Sequence, residues 1–406
     1  MPALLLSILF FVNIPVYTYS SIFTFILVVQ KKNYMKKILP GVFLFAVSFT
    51  YAQNPIFYLL VGTYTKNQSN GIFVYKFNPN KGEATPVSKT TGIENPSYLA
   101  ISKDEKYVYA VNENGDDKGS VSAFAFDKKK GELTFLNKQP SGGDAPCYVS
   151  VDASGKNVVV ANYSGGNMSV FKTNDDGSLQ PYTQLIAHEG YGVNVQRQEM
   201  PHVHCTIFSP DEKYVFATDL GNDRLYQYNF NPGNAAPLTP SDPPYYELPD
   251  NSGPRHITFS PDGKYAYLLN ELSGQVIAFQ YSNGKLTQIQ TIASDNTGGK
   301  GDKGSADIHL TPNGKYLYTS NRVTANDVVL FKTESEGKLT EVAHQAVGVH
   351  PRNFMIDPTG RFLLVANRDS NNIQIFVINK NFGLLQDTGV KIDIDQPVCL
   401  KMMPVN

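Results

Sequence analysis

One motif, repeated along the chain, constrains its fold more tightly than any compositional feature. The fullest copy spans Gly253–Tyr281. Two short apolar runs, Ile257–Phe259 and Tyr265–Asn270, flank the turn sequence Ser260-Pro-Asp-Gly-Lys264, and an alternating run follows over Gln275–Tyr281. Short runs of period two bounded by tight-turn residues read as antiparallel strands. Counting from Pro254, the turn opens at offset seven and the second run ends at offset sixteen, on Asn270. The same offsets recur from Pro96, Pro146, Val203, Ser305 and Pro351, ending on Asn112, Asn162, Asp219, Asn321 and Asn367. Successive copies begin 46 to 57 residues apart. A seventh copy opens at Pro397 and stops after one strand. Its missing strands are found at the other end of the chain, in 57–62, 71–77 and 85–90. A fourth strand, introduced by Gly and Leu, follows complete copies at Gly131–Leu133, Gly284–Leu286 and Gly337–Leu339. Repeats of this length with four antiparallel strands are the blades of a β-propeller. The expected fold is therefore all-β: seven four-stranded antiparallel blades, closed by a blade shared between the N- and C-termini. Closure removes the exposed sheet edges of an open array.

Residues 53–406 suit this single domain, and the segment before it reads differently. Residues 3–30 are almost wholly apolar and are followed by Lys31, Lys32, Lys36 and Lys37. Residues 35–52 have the outline of a signal peptide, with a basic start, an apolar run and small residues near Ala52. On that reading 1–34 is upstream sequence translated in error. The rival is a membrane anchor at 3–30, long enough to span a bilayer. The expected location is thus periplasmic or secreted, or membrane-anchored on the rival reading. Without residues 1–52 the chain carries 31 basic and 36 acidic residues, about −5, which gives no reason to expect a nucleic-acid partner. The three cysteines, Cys147, Cys205 and Cys399, are an odd number at first-strand positions and read as small buried residues rather than a disulfide framework. No closely spaced Cys/His set suggests a zinc site, and a monomer or dimer is expected.

The repeat also locates the chemistry. Hairpin geometry puts offsets +1 and +17 at one end of each blade, where the innermost strands ring a mouth of the central channel. Offset +1 reads Ser97, Cys147, His204, Arg255, Ala306, Arg352 and Val398; offset +17 includes Glu113, Tyr163, Leu220, Glu271, Arg322 and Arg368. Four arginines, a histidine and two glutamates at equivalent places in different blades are not a packing pattern. The turn lysines at +10, from Lys106 to Lys315, fall at the opposite end and read as solvated turn residues. Arginine clamps carboxylate or phosphate through its planar fork, and several at one mouth attract a small anion. His204 is the natural proton-transfer group, with Glu271 to orient it, act as a second acid/base or balance the arginines. His202, His256 and His350 flank the same anchors and are alternative bases. The inter-blade connections 187–200, 237–252 and 293–304 gather over this mouth, as ligand-site loops do. From them Arg197 and Gln198 are taken as substrate contacts. The recurring Asn at +16 reads as serving the blade turn rather than a metal.

These residues resemble the seven-bladed propeller lactonase family, which includes propeller-type 6-phosphogluconolactonases and the carboxy-muconate lactonising enzyme. The resemblance is carried by Pro201–His204, Asp219–Arg224, Gly253–His256, Asn270-Glu271, Ser320–Arg322 and His350–Phe354, and covers essentially residues 55–406. It implies metal-free and cofactor-free chemistry on a small anionic lactone. His204, Arg255, Glu271 and Arg322 match the positions proposed as catalytic for the muconate enzyme, which implies His204 as acid/base, Glu271 as second proton-transfer or orienting group, and Arg255 and Arg322 for anion binding and the oxyanion. Arg352 and Arg368 would be secondary anion contacts, and Glu113 belongs to the same ring. An export signal departs from a cytoplasmic phosphorylated substrate. Two further readings compete with hydrolysis: cyclisation of a muconate-like diacid, and a non-catalytic propeller that binds anionic ligands.

Overall fold

The computed structural model describes residues 55–65, 71–297 and 302–405. The upstream, anchor and signal-peptide readings for residues 1–52 therefore lie outside the described residues. Among the described residues no helix is long and apolar enough to cross a membrane.

Seven separate four-stranded antiparallel sheets form the expected propeller. In blade 1 the C-terminal strand Pro397–Pro404 is innermost, followed by Phe57–Thr63, Ile72–Asn78 and Glu83–Thr90. The innermost strands of blades 2 to 7 are Leu99–Ile101, Pro146–Val151, Val203–Phe208, Pro254–Phe259, Ser305–Leu310 and Pro351–Ile356. Each of these touches the next, and Pro397–Pro404 touches Leu99–Ile101, so the ring closes.

The repeat has a local cause in the turn between the first two strands. In four blades a hydroxyl at offset six (Ser102, Ser209, Ser260 or Thr311) donates to an Asp or Asn two residues on. It also accepts the backbone N–H of the Tyr that opens the second strand. In blades 3 and 7 Asp152 and Asp357 take over, accepting two and three backbone N–H groups respectively. These are the side-chain turns that Ser, Thr and Asp favour. Offset nine needs positive φ, which Gly155, Gly263, Gly314 and Gly360 supply at 67–70°.

Neighbouring blades are clasped by a second recurring device. The buried hydroxyls of Tyr109, Tyr267 and Tyr318 donate to the carbonyls of Gly177, Gly337 and Gly383, one blade on. Those glycines introduce the fourth strands, and a Cβ on Gly177 or Gly337 would meet the ring of Tyr107 or Tyr265 within 2.5 Å. The Gly-Leu signature thus exists because a tyrosine of the preceding blade occupies the space of a side chain. All three cysteines are free and buried.

The closing blade is as well packed as the others. Leu59, Val61 and Leu400, drawn from both ends of the chain, pack against Leu364, Ile373 and Ile375 of blade 7. Removing the Leu59 side chain leaves a cavity in a buried seam, so Leu59→Ala is expected to cost about 2–5 kcal/mol. Phe382→Ala, at a residue 63% exposed, should stay within about 0.5 kcal/mol. Urea unfolding distinguishes the two, and an equal, small effect at both would show that the shared blade contributes little to closure.

Candidate active site

The residue at offset +1 is special for a structural reason. In blades 3, 4, 5 and 7 the anchor pairs with the residue at +16, while the residue at +2 pairs with the one at +15. Cys147, His204, Arg255 and Arg352 are therefore each the extra residue of a β-bulge. Val398 is bulged in the same way in blade 1, and blade 6 slips between Ser305 and Ile308. A bulge re-aims one side chain out of the pleat, and here it turns the +1 residues into the channel. Ser97, Cys147, His204, Arg255, Arg352 and Val398 all line one small cavity there, of about 10 Å³, room for about one water. The +10 lysines are exposed at the other end. A larger depression of about 180 Å³ lies at that end between blades 2 and 3, but Asp104–Lys106 and Asp175–Lys156 pairs neutralise each other there.

Glu271 is the electrostatic centre of the mouth. Its Oε1 accepts from Arg197 Nη2 at 2.7 Å, and its Oε2 lies 2.9 Å from Arg322 Nη2. Arg255 Nε stands 3.0 Å from the same oxygen, an ion pair without the alignment of a hydrogen bond. Burial alone would raise the carboxyl pKa. Arg322, Arg255 and Arg197 outweigh it and hold Glu271 ionised far below the usual carboxylate range. Of the roles considered for Glu271, its surroundings favour gathering arginines over carrying a proton. Arg322 also donates through Nε to Gly304 O at 3.0 Å; burial lowers its pKa to about 10, with Arg255 and Arg352 adding to the effect.

A second group sits beside it. Arg352 lies over the Tyr64 ring and 3.4 Å from Glu113 Oε2, while Tyr64 donates its hydroxyl to Glu113 Oε1 at 2.9 Å. Arg368 forms a two-pronged pair with Asp369, at 2.6 and 2.9 Å, and reaches His350 Nδ1 at 3.2 Å. Five arginines thus share three carboxylates, leaving a local excess of positive charge that suits an anion.

Among the four histidines His256 as well as His204 lines the cavity, and Nε2 of His350 as well as Nδ1 of His204 is buried without a hydrogen-bond partner among the described residues. Burial first, then Arg255, pushes the His204 pKa well below 6.5, so it is neutral at pH 7. His202 is stacked on Tyr163 at 4.4 Å, with Nδ1 on Tyr163 O and Nε2 near Glu199, which makes it part of the loop packing. His350 is lowered to about 3 by burial and Arg322. His256 contacts Asp307 through Nδ1 at 2.8 Å and Arg255 through Nε2 at 3.3 Å.

The loop residues also part company. Arg197 reaches the site, touching Tyr163 and Glu271. Gln198 is fully buried, donates to Leu220 O and Asp223, and accepts from Asn194 N, so it holds the 187–200 connection in place. The +16 side chains of Asn112, Asn162, Asn321 and Asn367 bind neighbouring turn groups. Among the described residues no group of three His, Cys, Asp or Glu is placed to hold a metal ion. Sequence reasoning missed Asp307. It is buried under the mouth and accepts from His256, His309 and Asn353 side chains and from the backbone of Ile308 and Phe354. At offset +2 of a copy whose +1 residue is Ala306, it reads as an ordinary strand position.

Comparison with known proteins agrees with the propeller fold. A Bacillus subtilis 6-phosphogluconolactonase is 38% identical over 84% of this chain and 97% of its own length. A Bacteroides fragilis crystal structure, 47% identical, superposes with a TM-score of 0.84 over 87% of this chain and 99% of that one. A Pseudomonas aeruginosa periplasmic gluconolactonase structure is 36% identical, with a TM-score of 0.82 over 86% of this chain and 100% of its own. The model of the lactonase, 7-bladed beta-propeller family matches residues 58–402, so the chain belongs to that family.

Proposed function

We propose that the chain hydrolyses a small anionic or sugar-derived lactone, 6-phosphogluconolactone-like, at the mouth built from the +1 and +17 residues. The observation that carries this reading is His204, which lines the cavity with Arg255 and Arg352 and whose buried Nδ1 has no hydrogen-bond partner among the described residues. A neutral imidazole with a free ring nitrogen is equipped to take a proton from an attacking water. Arg255 and Arg322, held by Glu271, present fixed positive charge to the oxyanion that develops at the lactone carbonyl. When the ring C–O bond breaks, the proton held by His204 passes to the departing alkoxide. Arg352 and Arg368 receive the substrate's own carboxylate or phosphate, and Arg197 closes over it from the 187–200 loop. We also propose that residues 35–52 direct export; the periplasmic gluconolactonase relative supports this.

His204→Ala should lower kcat by about 10²–10⁴ while binding of the aldonate product, followed by calorimetry, is retained. Loss of binding and turnover together would make His204 structural and return weight to a non-catalytic anion binder.

The pH profile provides a further test. Because the folded pKa of His204 lies below its ordinary value, the neutral base form persists as pH falls. With an unphosphorylated lactone, so that no substrate phosphate titrates, kcat/KM should stay level from pH 7.5 down through about 6.5, the ordinary imidazole pKa. An acidic limb centred at or above 6.5 would exclude His204 as the base. Stability follows the same sign through His256, lowered to about 4 by burial and Arg255. It is complete above about pH 6.5 and drains as pH falls towards 4, where the folded chain at last accepts the proton.

A further inference from the structure

On the lactonase reading above, we infer that Asp307 is a positioning residue. It fixes His256 in the tautomer whose Nε2 lone pair receives Arg255, and so sets the guanidinium at the reacting carbonyl. The geometry assigns the hydrogens. An ionised carboxylate only accepts, so His256 Nδ1, 2.8 Å from Asp307 Oδ1, carries the ring hydrogen. Nε2 is then an acceptor, and it faces Arg255 Nη1 at 3.3 Å, a group that only donates. The same Nη1 donates to Ala306 O, and Arg255 Nε stands against Glu271. Arg255 is therefore held by two acceptors and an ion pair, and one of those acceptors accepts only in one tautomer.

Asp307 is built for this task. It is 1% exposed, and five donors from three blades converge on it. Oδ2 takes the Asn353 amide, Phe354 N–H and His309 Nε2, while Oδ1 takes Ile308 N–H and His256. In Asp307→Asn the single oxygen would settle where three donors meet, at the Oδ2 position. The new amide would then donate towards His256 Nδ1 and drive the ring hydrogen to Nε2. A donor would face a donor, and Arg255 would leave its place.

The inference separates from the lactonase reading by experiment. ¹⁵N NMR of the imidazole rings, which needs no substrate, should show His256 protonated on Nδ1 in the parent protein and on Nε2 in Asp307→Asn. In turnover, Asp307→Asn should lower kcat/KM about 10- to 100-fold. His256→Gln, whose amide oxygen accepts from Arg255 in any state of residue 307, should stay within about threefold, and His256→Leu should lose activity as Asp307→Asn does. The double variant Asp307→Asn, His256→Gln should match His256→Gln alone. A merely structural Asp307 would cost the same factor in both backgrounds, and that result overturns the inference. So does an unchanged His256 tautomer in Asp307→Asn. Should Asp307→Asn not fold, the parent tautomer and the His256→Gln against His256→Leu contrast decide. An Nε2–H tautomer or equal activities overturn it. Absence of lactone turnover in the parent would sink the lactonase reading while leaving the tautomer result to stand or fall by itself.

Discussion

A one-residue slip at the start of the inner strands determines where the charge of this protein goes. Strand side chains alternate between faces, so without the slip the +1 residues would follow the pleat into the seams between blades. The bulge turns His204, Arg255 and Arg352 into the channel and leaves the residues beyond them in register with the second strands. Below the bulges the blades are ordinary: hydroxyl and aspartate turns, tyrosines clasping the next blade, and apolar seams. That regular frame holds a crowded set of like charges in place.

Crowding arginines out of water is costly, and the site shows the strain. Arg322 is depressed to about 10 by burial and by its arginine neighbours, although it touches a carboxylate. Glu271 relieves three arginines at once but cannot neutralise them. Removing one partner of such a buried group typically costs about 3–5 kcal/mol, because the remaining charges stay behind. An incoming carboxylate, phosphate or oxyanion adds the negative charge the mouth lacks. On the proposed reading, affinity for anions and stabilisation of a developing oxyanion have one origin, a buried positive excess fixed before substrate arrives.

The repeat made much of this legible in the sequence. Equal offsets in unlike copies located the blades, the shared closing blade and the end at which His204, Arg255, Glu271, Arg322 and Arg352 meet. What offsets cannot supply is the partner of each side chain. Gln198 and Arg197 are adjacent in a loop outside the repeat, yet one is buried against Leu220 and Asp223 and the other reaches Glu271. His202 and His204 lie two residues apart, and only the latter, the bulged one, enters the cavity. Asp307 escaped notice because its importance comes from five donors brought together by blades 5, 6 and 7, three of them distant in sequence.

The central claim is that the +1 and +17 mouth binds and opens the lactone. A crystal structure with the aldonate product bound tests it most directly. The account predicts the product carboxylate within hydrogen-bond distance of Arg255 or Arg322, with His204 beside it. Product seated only among the turn lysines at the opposite end, with the mouth empty, would contradict it.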